Sequence, residues 1–252
     1  NAWKGKLLED LFLSTRRLLG GDSVSPTAVL EGRKEEALRI LRLYGLTDSA
    51  REALWEQLDV VYFLRHSAQD IAWHTRSLYA RVNTEQPIVR ARLARIGEGA
   101  EVLMYVRDQK DLFARVCGYF DSRNLSILDA RIHTTRHGYA LDTFLVTDHG
   151  RSPHYRELLA QIEHELAEWI AQRHELPTPV KGRMSRQSRH FPVTPEVHLQ
   201  PDERGSRYLL AITATDRLGL LYSIARVLTQ HSLNVHTAKV LTLGERAEDV
   251  FL

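Results

Sequence analysis

The residues with the clearest chemical potential stand in Thr215-Asp216-Arg217-Leu218-Gly219-Leu220-Leu221. An apolar run, Tyr208 to Ala214, precedes them, and Ile224, Val227 and Leu228 follow at helical spacing. The stretch therefore predicts a turn from a strand into a helix. A helix N-terminus presents unpaired backbone N–H groups and partial positive charge, which suit a carboxylate. Gly219 has no Cβ, so a ligand could approach the backbone closely. Asp216 can meet an ammonium group or cap the helix. Asn234, further on, carries both a donor and an acceptor, as recognition of an amide requires. The plainer reading is that Asp216 only caps and Gly219 only turns; residue types and spacing leave both open.

The same arrangement stands earlier in the chain. Arg107-Asp108-Gln109-Lys110-Asp111-Leu112-Phe113 lies between Val102-Leu103-Met104-Tyr105-Val106 and the periodic Val116, Tyr119 and Phe120. Asp108 and Asp216 are 108 positions apart, and that offset superimposes Leu112 on Leu220, Leu125 on Leu233, Ala130 on Ala238 and Thr134 on Thr242. Dropping one residue in the next turn brings Asp142 onto Asp249 and Phe144 onto Phe251. One unit is used twice, and such a repeat constrains the fold before any single residue does.

The 252 residues suffice for two or three domains, and 43% hydrophobic with 26% charged residues describes a globular chain. A formal net charge of +2 does not by itself point to nucleic acid. The single cysteine, Cys117, excludes an internal disulfide, and with no secretory segment a reducing cytoplasm is expected. No apolar run approaches membrane-spanning length. Asn1 at one end and Phe251-Leu252 within a strand-like run at the other suggest a piece of a longer polypeptide.

Residues 1–83 read as helices. Leu7, Leu8, Leu11, Phe12 and Leu18 repeat until Gly20-Gly21, and Leu30, Ala37, Leu38 and Leu41 mark a second helix ending near Gly45. Thr47 or Asp48 is expected to cap a third, with Leu54, Leu58, Val61 and Tyr62 on its stripe. Ser67 is expected to cap a fourth with Asp70 as acidic partner and Ile71, His74 and Leu78 buried. His66 and His74 invite a metal reading, but no second ligand cluster is near and packing explains them more simply.

Residues 88–175 form the first copy: a hairpin around Gly97-Glu98-Gly99, a helix from Leu112 to Arg123, strands from Leu125 to Thr134 and from Tyr139 to Thr147, and a helix opened by Ser152-Pro153. Its stripe is Leu158, Leu159, Ile162, Leu166, Trp169 and Ile170. His164, Glu165 and Glu168 fall opposite that stripe and read as a solvated face, because Glu168 stands where a zinc protease needs its second histidine. Gly97-Glu98-Gly99 is no dinucleotide loop, since Val102 replaces the third glycine.

Residues 176–189 are a basic linker with Lys181, Arg183, Arg186 and Arg189. It could track phosphates, but no aromatic residue interleaves the charges to stack bases, so nucleic acid is disfavoured as a partner. Residues 190–252 form the second copy. Phe191, Val193, Val197 and Leu199 alternate, and Pro192 and Pro195 confine that strand to a sheet edge. After the Asp216 turn come a helix, a strand from Leu233 to Thr242, a turn at Leu243-Gly244-Glu245 and a last strand. The fold class is thus α+β: two ferredoxin-like βαββα units, each with an extra N-terminal strand, after an all-helical segment, the second unit incomplete.

The Asp-Arg-x-Gly-Leu-Leu turn between strand and helix, with Leu233-Asn234-Val235 opening the next strand, resembles the ACT domain. ACT domains bind amino acids at interfaces between two of them, so the resemblance implies ligand contacts at Asp216, Arg217, Gly219, Leu220, Leu221 and Asn234. In the first copy Asp108 matches, but Asp111 replaces the glycine and Ser126 the asparagine. More widely, Asn1-Ala2-Trp3-Lys4, Tyr62-Phe63-Leu64-Arg65-His66-Ser67, Ile71-Ala72-Trp73-His74, Asp142-Thr143-Phe144 and Gly244-Glu245-Arg246-Ala247-Glu248-Asp249 resemble the segment after the HD domain of bifunctional PII uridylyltransferase/uridylyl-removing enzymes. The resemblance implies a parent with a nucleotidyltransferase domain, an HD hydrolase domain, Mg2+ or Mn2+ in those domains, glutamine as effector and the PII signalling protein as substrate. The piece itself is expected to be non-catalytic and to hold no cofactor, since it contains neither Asp-x-Asp nor adjacent His-Asp. A stand-alone amino-acid-binding or protein/nucleic-acid interaction module is the alternative.

Overall fold

The structure is a computed structural model that describes residues 26–95, 98–148, 155–173, 175–179, 193–202, 207–243 and 246–252. The expected helix over Leu7–Leu18, most of the basic linker and the Gly244-Glu245 turn lie outside the described residues. The chain divides into two compact units at Asn83/Thr84, with Ala94–Glu98 belonging to the first. Among the described residues no helix is long and apolar enough to cross a membrane.

The first unit is helical. α1 (Pro26–Leu43) buries Leu30, Ala37 and Leu41. It ends where Gly45 turns left-handed at φ 74°, Leu46 N–H bonding Leu41 O and Gly45 N–H bonding Arg42 O. The single third helix expected from the sequence is broken. A 3-10 turn (Asp48–Arg51) leads into α2 (Glu52–Trp55), and α3 (Val60–Arg65) starts afresh. Asp59 is the cause: its side chain accepts from Tyr62 N–H at 2.9 Å and caps a new helix, which leaves Val61 exposed instead of on the stripe. Thr47 makes no capping bond. α4 (Ala68–Leu78) has the expected capping box between Ser67 and Asp70, and it buries Ile71, His74 and Leu78. His66 and His74 both serve Tyr62, through Nδ1 at 2.9 Å from its carbonyl and at 2.7 Å from its hydroxyl.

The second unit is one eight-stranded antiparallel sheet carrying helices. In chain order it comprises β1 (Ile88–Leu93), β2 (Ala100–Arg107), α5 (Leu112–Ser122), β3 (Leu125–His133), β4 (Tyr139–Asp148) and α6 (Tyr155–Gln172), then β5 (Glu196–Pro201), β6 (Tyr208–Thr215), α7 (Leu220–Gln230), β7 (Thr237–Leu243) and β8 (Arg246–Phe251). The strand order is β1-β2-β4-β3-β7-β8-β6-β5, so the two copies stand side by side and join through β3 and β7. At that seam Arg131 faces Lys239, residues 108 positions apart, and the register runs out symmetrically from there. The repeat extends to backbone strain. The left-handed residues Asp111 and Gly219, and likewise Asn124 and Ser232, are each separated by the same 108 positions.

The strand faces, α5, α6 and α7 share one core, with Phe120, Phe144, Tyr222, Leu166 and Val240 fully buried or nearly so. α6 turns Ile162, Leu166 and Ile170 inward, and beside them Glu163 accepts the free edge N–H of Ala91 at 2.7 Å. His164 and Glu168 are exposed as expected, whereas Glu165 engages Tyr119 Oη and Arg123. β5 lies at the sheet edge and is exposed throughout. β7 begins at Thr237, not at Leu233. Leu233 N–H instead closes the end of α7 by bonding Leu228 O, which holds 233–236 off the sheet.

Candidate functional site

Two clefts open along the helix face of the second unit, and the sheet seam explains both. Antiparallel pairing of β3 with β7 sets the strand-to-helix turn of each copy beside the start of the third strand of the other. The first cleft, about 270 Å3, is lined by the Asp108–Ala114 turn, by Ile132, Thr134, Ala140 and Asp142 of its own copy, and by Leu233–His236 with the end of α7 from the second copy. The second, about 30 Å3, is lined by Asp216, Arg217 and Gly219–Tyr222, by Val240, Thr242, Ala247 and Asp249, and by Cys117, Asp121 and Leu125–Ile127 of the first copy. Every residue of the second cleft stands 108 positions from one of the first, or 107 after the last turn.

This arrangement sorts the residues singled out in the sequence. Asp216, Arg217, Gly219, Leu220 and Leu221 come together in the second cleft, and Ser126 joins them. Asn234 does not: it lies in the first cleft with Asp108 and Asp111. The donor-acceptor residue facing the Asp216 turn is therefore Ser126, and Asn234 faces the turn that carries Asp111 in place of glycine.

The turns themselves suit an anion. Gly219 (φ 76°) and Asp111 (φ 63°) are the residues before α7 and α5, and neither helix receives a side-chain capping bond. Leu112 N–H and Leu220 N–H are taken by the carbonyls of Gln109 and Arg217, so it is the remaining first-turn N–H groups of each helix that stand toward the clefts. Asp111 adds its own negative charge to the first turn, a difference that favours the second turn for a carboxylate.

Sequence reasoning placed Asp142 and Asp249 in register but assigned them no role. Both are 2% exposed, on β4 and β8, one in each cleft. Burial pushes the Asp142 carboxyl well above the ordinary carboxylate range and the Asp249 carboxyl up to about 7, with Asp108 and Asp216 adding like charge. Burial also raises Asp108 and lifts the Cys117 thiol far above its usual range, so Cys117 is an inert packing residue. Asp142 Oδ1 accepts from His133 N–H at 3.2 Å, and Asp249 likewise accepts from Leu241 N–H, while its Oδ1 has no hydrogen-bond partner among the described residues. The signal for both was present in the sequence: an acid recurring at the same place in two apolar strands. Among the described residues no three His, Cys, Asp or Glu side chains are grouped to hold a metal ion.

Comparison with known proteins gives the clefts their context. Residues 25–77 match the family described as the uridylyltransferase GlnD fifth domain. The whole chain is 60% identical to a bifunctional uridylyltransferase/uridylyl-removing enzyme of Ralstonia nicotianae, 56% to one of Cupriavidus pinatubonensis and 52% to one of Aromatoleum aromaticum. The chain is similar to these enzymes along its whole length. It spans 30%, 29% and 29% of their respective lengths, so it corresponds to a part of each. No solved structure matches it.

Proposed function

We propose that this chain is the glutamine-sensing, regulatory part of an enzyme that uridylylates and deuridylylates the PII signalling protein, built as two side-by-side ACT domains behind a helical segment. The observation that carries this reading is the crosswise pair of clefts, in which one copy's uncapped helix N-terminus meets the other copy's strand start. Such a cleft offers donors for a carboxylate and buried acids for an ammonium group, which is the chemistry of a free amino acid. In this reading glutamine lies at the Asp216–Leu221 turn, with Gly219 admitting it to the backbone and Ser126 across from it. Because the cleft is shared, the ligand's contacts fall on both copies at once, and binding can shift how the copies pack. The chain contributes no chemistry to the transfer itself; the nucleotidyltransferase and HD domains of the longer protein, with Mg2+ or Mn2+, carry that, in the cytoplasm.

The test is ligand-dependent stability of the full-length protein. Glutamine at a hundred times its Kd adds ~2.7 kcal/mol to the state that binds it, which raises the thermal midpoint. Glutamate and unrelated amino acids at the same concentration leave it unchanged. A midpoint indifferent to millimolar glutamine would refute the sensing role.

A further inference from the structure

We propose that Asp249 anchors the ammonium group of the amino-acid effector in the second cleft, while the N-terminus of α7 takes its carboxylate. The inference rests on the sensing reading above and adds the residue that selects for a zwitterion. Asp249 is almost fully buried on β8 and lines the cleft; Leu241 N–H donates to its carboxylate, yet its Oδ1 has no hydrogen-bond partner among the described residues. A buried acceptor left unpaired is costly, and a donor arriving with the ligand relieves that cost. Asp216 and Asp121 line the same cleft, and among the described residues Arg217 is the only basic one that lines it. The cleft thus combines carboxylate acceptors with the first turn of α7, which receives no side-chain capping bond from Gly219. An amino acid fits both. A dicarboxylate without an amine meets repulsion from the acids, and a simple amine finds no use for the helix terminus.

The enclosed room, about 30 Å3, suits one small group and not a side chain. An ammonium head enters it while the remainder of the effector extends along the open cleft. In both clefts the acid accepts one backbone N–H at the matching position, His133 for Asp142 and Leu241 for Asp249. The second cleft differs in the further Asp249 oxygen left without a hydrogen-bond partner among the described residues and in Gly219 standing where the first has Asp111.

A proton competes for the same oxygen. Asp249 is pushed up to about 7, so the empty cleft holds the carboxyl protonated below neutrality, and entry of an ammonium group expels that proton. The titratable and charged groups that line the cleft with Asp249 are Asp216 and Arg217 on the turn, Asp121 and Cys117 on α5, and Tyr222 on α7, whose hydroxyl burial pushes up to about 12. Cys117 stays a neutral thiol across this range, so it does not compete. With a carboxyl near 7, affinity for glutamine rises about tenfold between pH 6 and pH 8 and then levels off.

Calorimetry on the full-length protein tests this with glutamine and with glutaramate, which is glutamine without its α-amine. Wild type is expected to bind glutamine about tenfold more tightly at pH 8 than at pH 6, and glutaramate at least a hundredfold more weakly than glutamine. Asp249→Asn is expected to lose at least tenfold in glutamine affinity and to lose the pH dependence, with its unfolding midpoint confirming that it is folded. The anchor is overturned if glutaramate binds as well as glutamine, a result that needs no variant. It is equally overturned if Asp249→Asn keeps wild-type affinity, or loses affinity with the pH dependence intact. Wild type that binds no glutamine at either pH overturns the sensing reading itself, a different outcome from a binding protein indifferent to Asp249.

Discussion

Asp249→Asn should stabilise the ligand-free protein at alkaline pH. The substitution keeps the shape of the side chain and removes its charge. In the unfolded chain the carboxyl titrates near its ordinary value of 3.8; in the fold, burial and Asp216 defer ionisation to about 7. Below about pH 4 both states hold the proton, and the group has no effect on stability. Between about pH 4 and pH 7 the unfolded state has released its proton and the folded state has not, so stability falls as the pH rises. Above about 7 the loss is complete. Each unit is worth ~1.4 kcal/mol, and three units make ~4 kcal/mol. Asn is exempt from this penalty and retains an oxygen for the backbone bond at Leu241. The expected gain is therefore about 2–4 kcal/mol at pH 8, falling to ~1 kcal/mol near pH 4.5. Hydrogen exchange at β6, β7 and β8, corrected for intrinsic rates, is the suitable assay, because a chain of two compact units is not bound to unfold in one step. A variant less stable than wild type at pH 8, or one with the same gain at both pH values, would show that the carboxyl is not strained by burial.

Gly219→Asp copies the first repeat, where Asp111 already occupies the same left-handed conformation, so the fold is expected to tolerate it. Its charge beside a bound carboxylate about 4 Å away costs ~1 kcal/mol in water and ~4 kcal/mol at a protein surface, so calorimetry should record at least tenfold weaker glutamine binding, and unchanged affinity would move the ligand to the Asp108 cleft. Gly118→Ala probes the crossing of α5 and α7: its Cβ would lie 3.0 Å from the Tyr222 ring, which is pinned by the Tyr222 hydroxyl donating to Pro177 O at 2.6 Å. A net loss of about 1–3 kcal/mol is expected from overpacking, although alanine is the better helix former by ~1 kcal/mol; urea denaturation that finds a stabilised variant would refute the close packing.

The sequence by itself determined the repeated unit, its α+β class and the identity of the turn residues. These follow from local rules: strand alternation, helical spacing, and a left-handed position that Gly219 and Asp111 both accept at low cost. The capping box of Ser67 and Asp70 was legible for the same reason, as a three-residue relation within one turn. The break at Asp59 was not, because its carboxylate competes with a continuous stripe that reads equally well across it. Which turn meets which strand was decided only by tertiary structure. The offset of 108 says that two copies exist, not that β3 pairs with β7, and it is this non-local pairing that sends Asn234 to the Asp108 turn and Ser126 to the Asp216 turn. The same holds for Asp142 and Asp249. Their recurrence is visible in the chain, but the burial that raises their carboxyls, and the Asp249 oxygen without a partner among the described residues, arise where α5 and α7 cover the sheet and withdraw both acids from water.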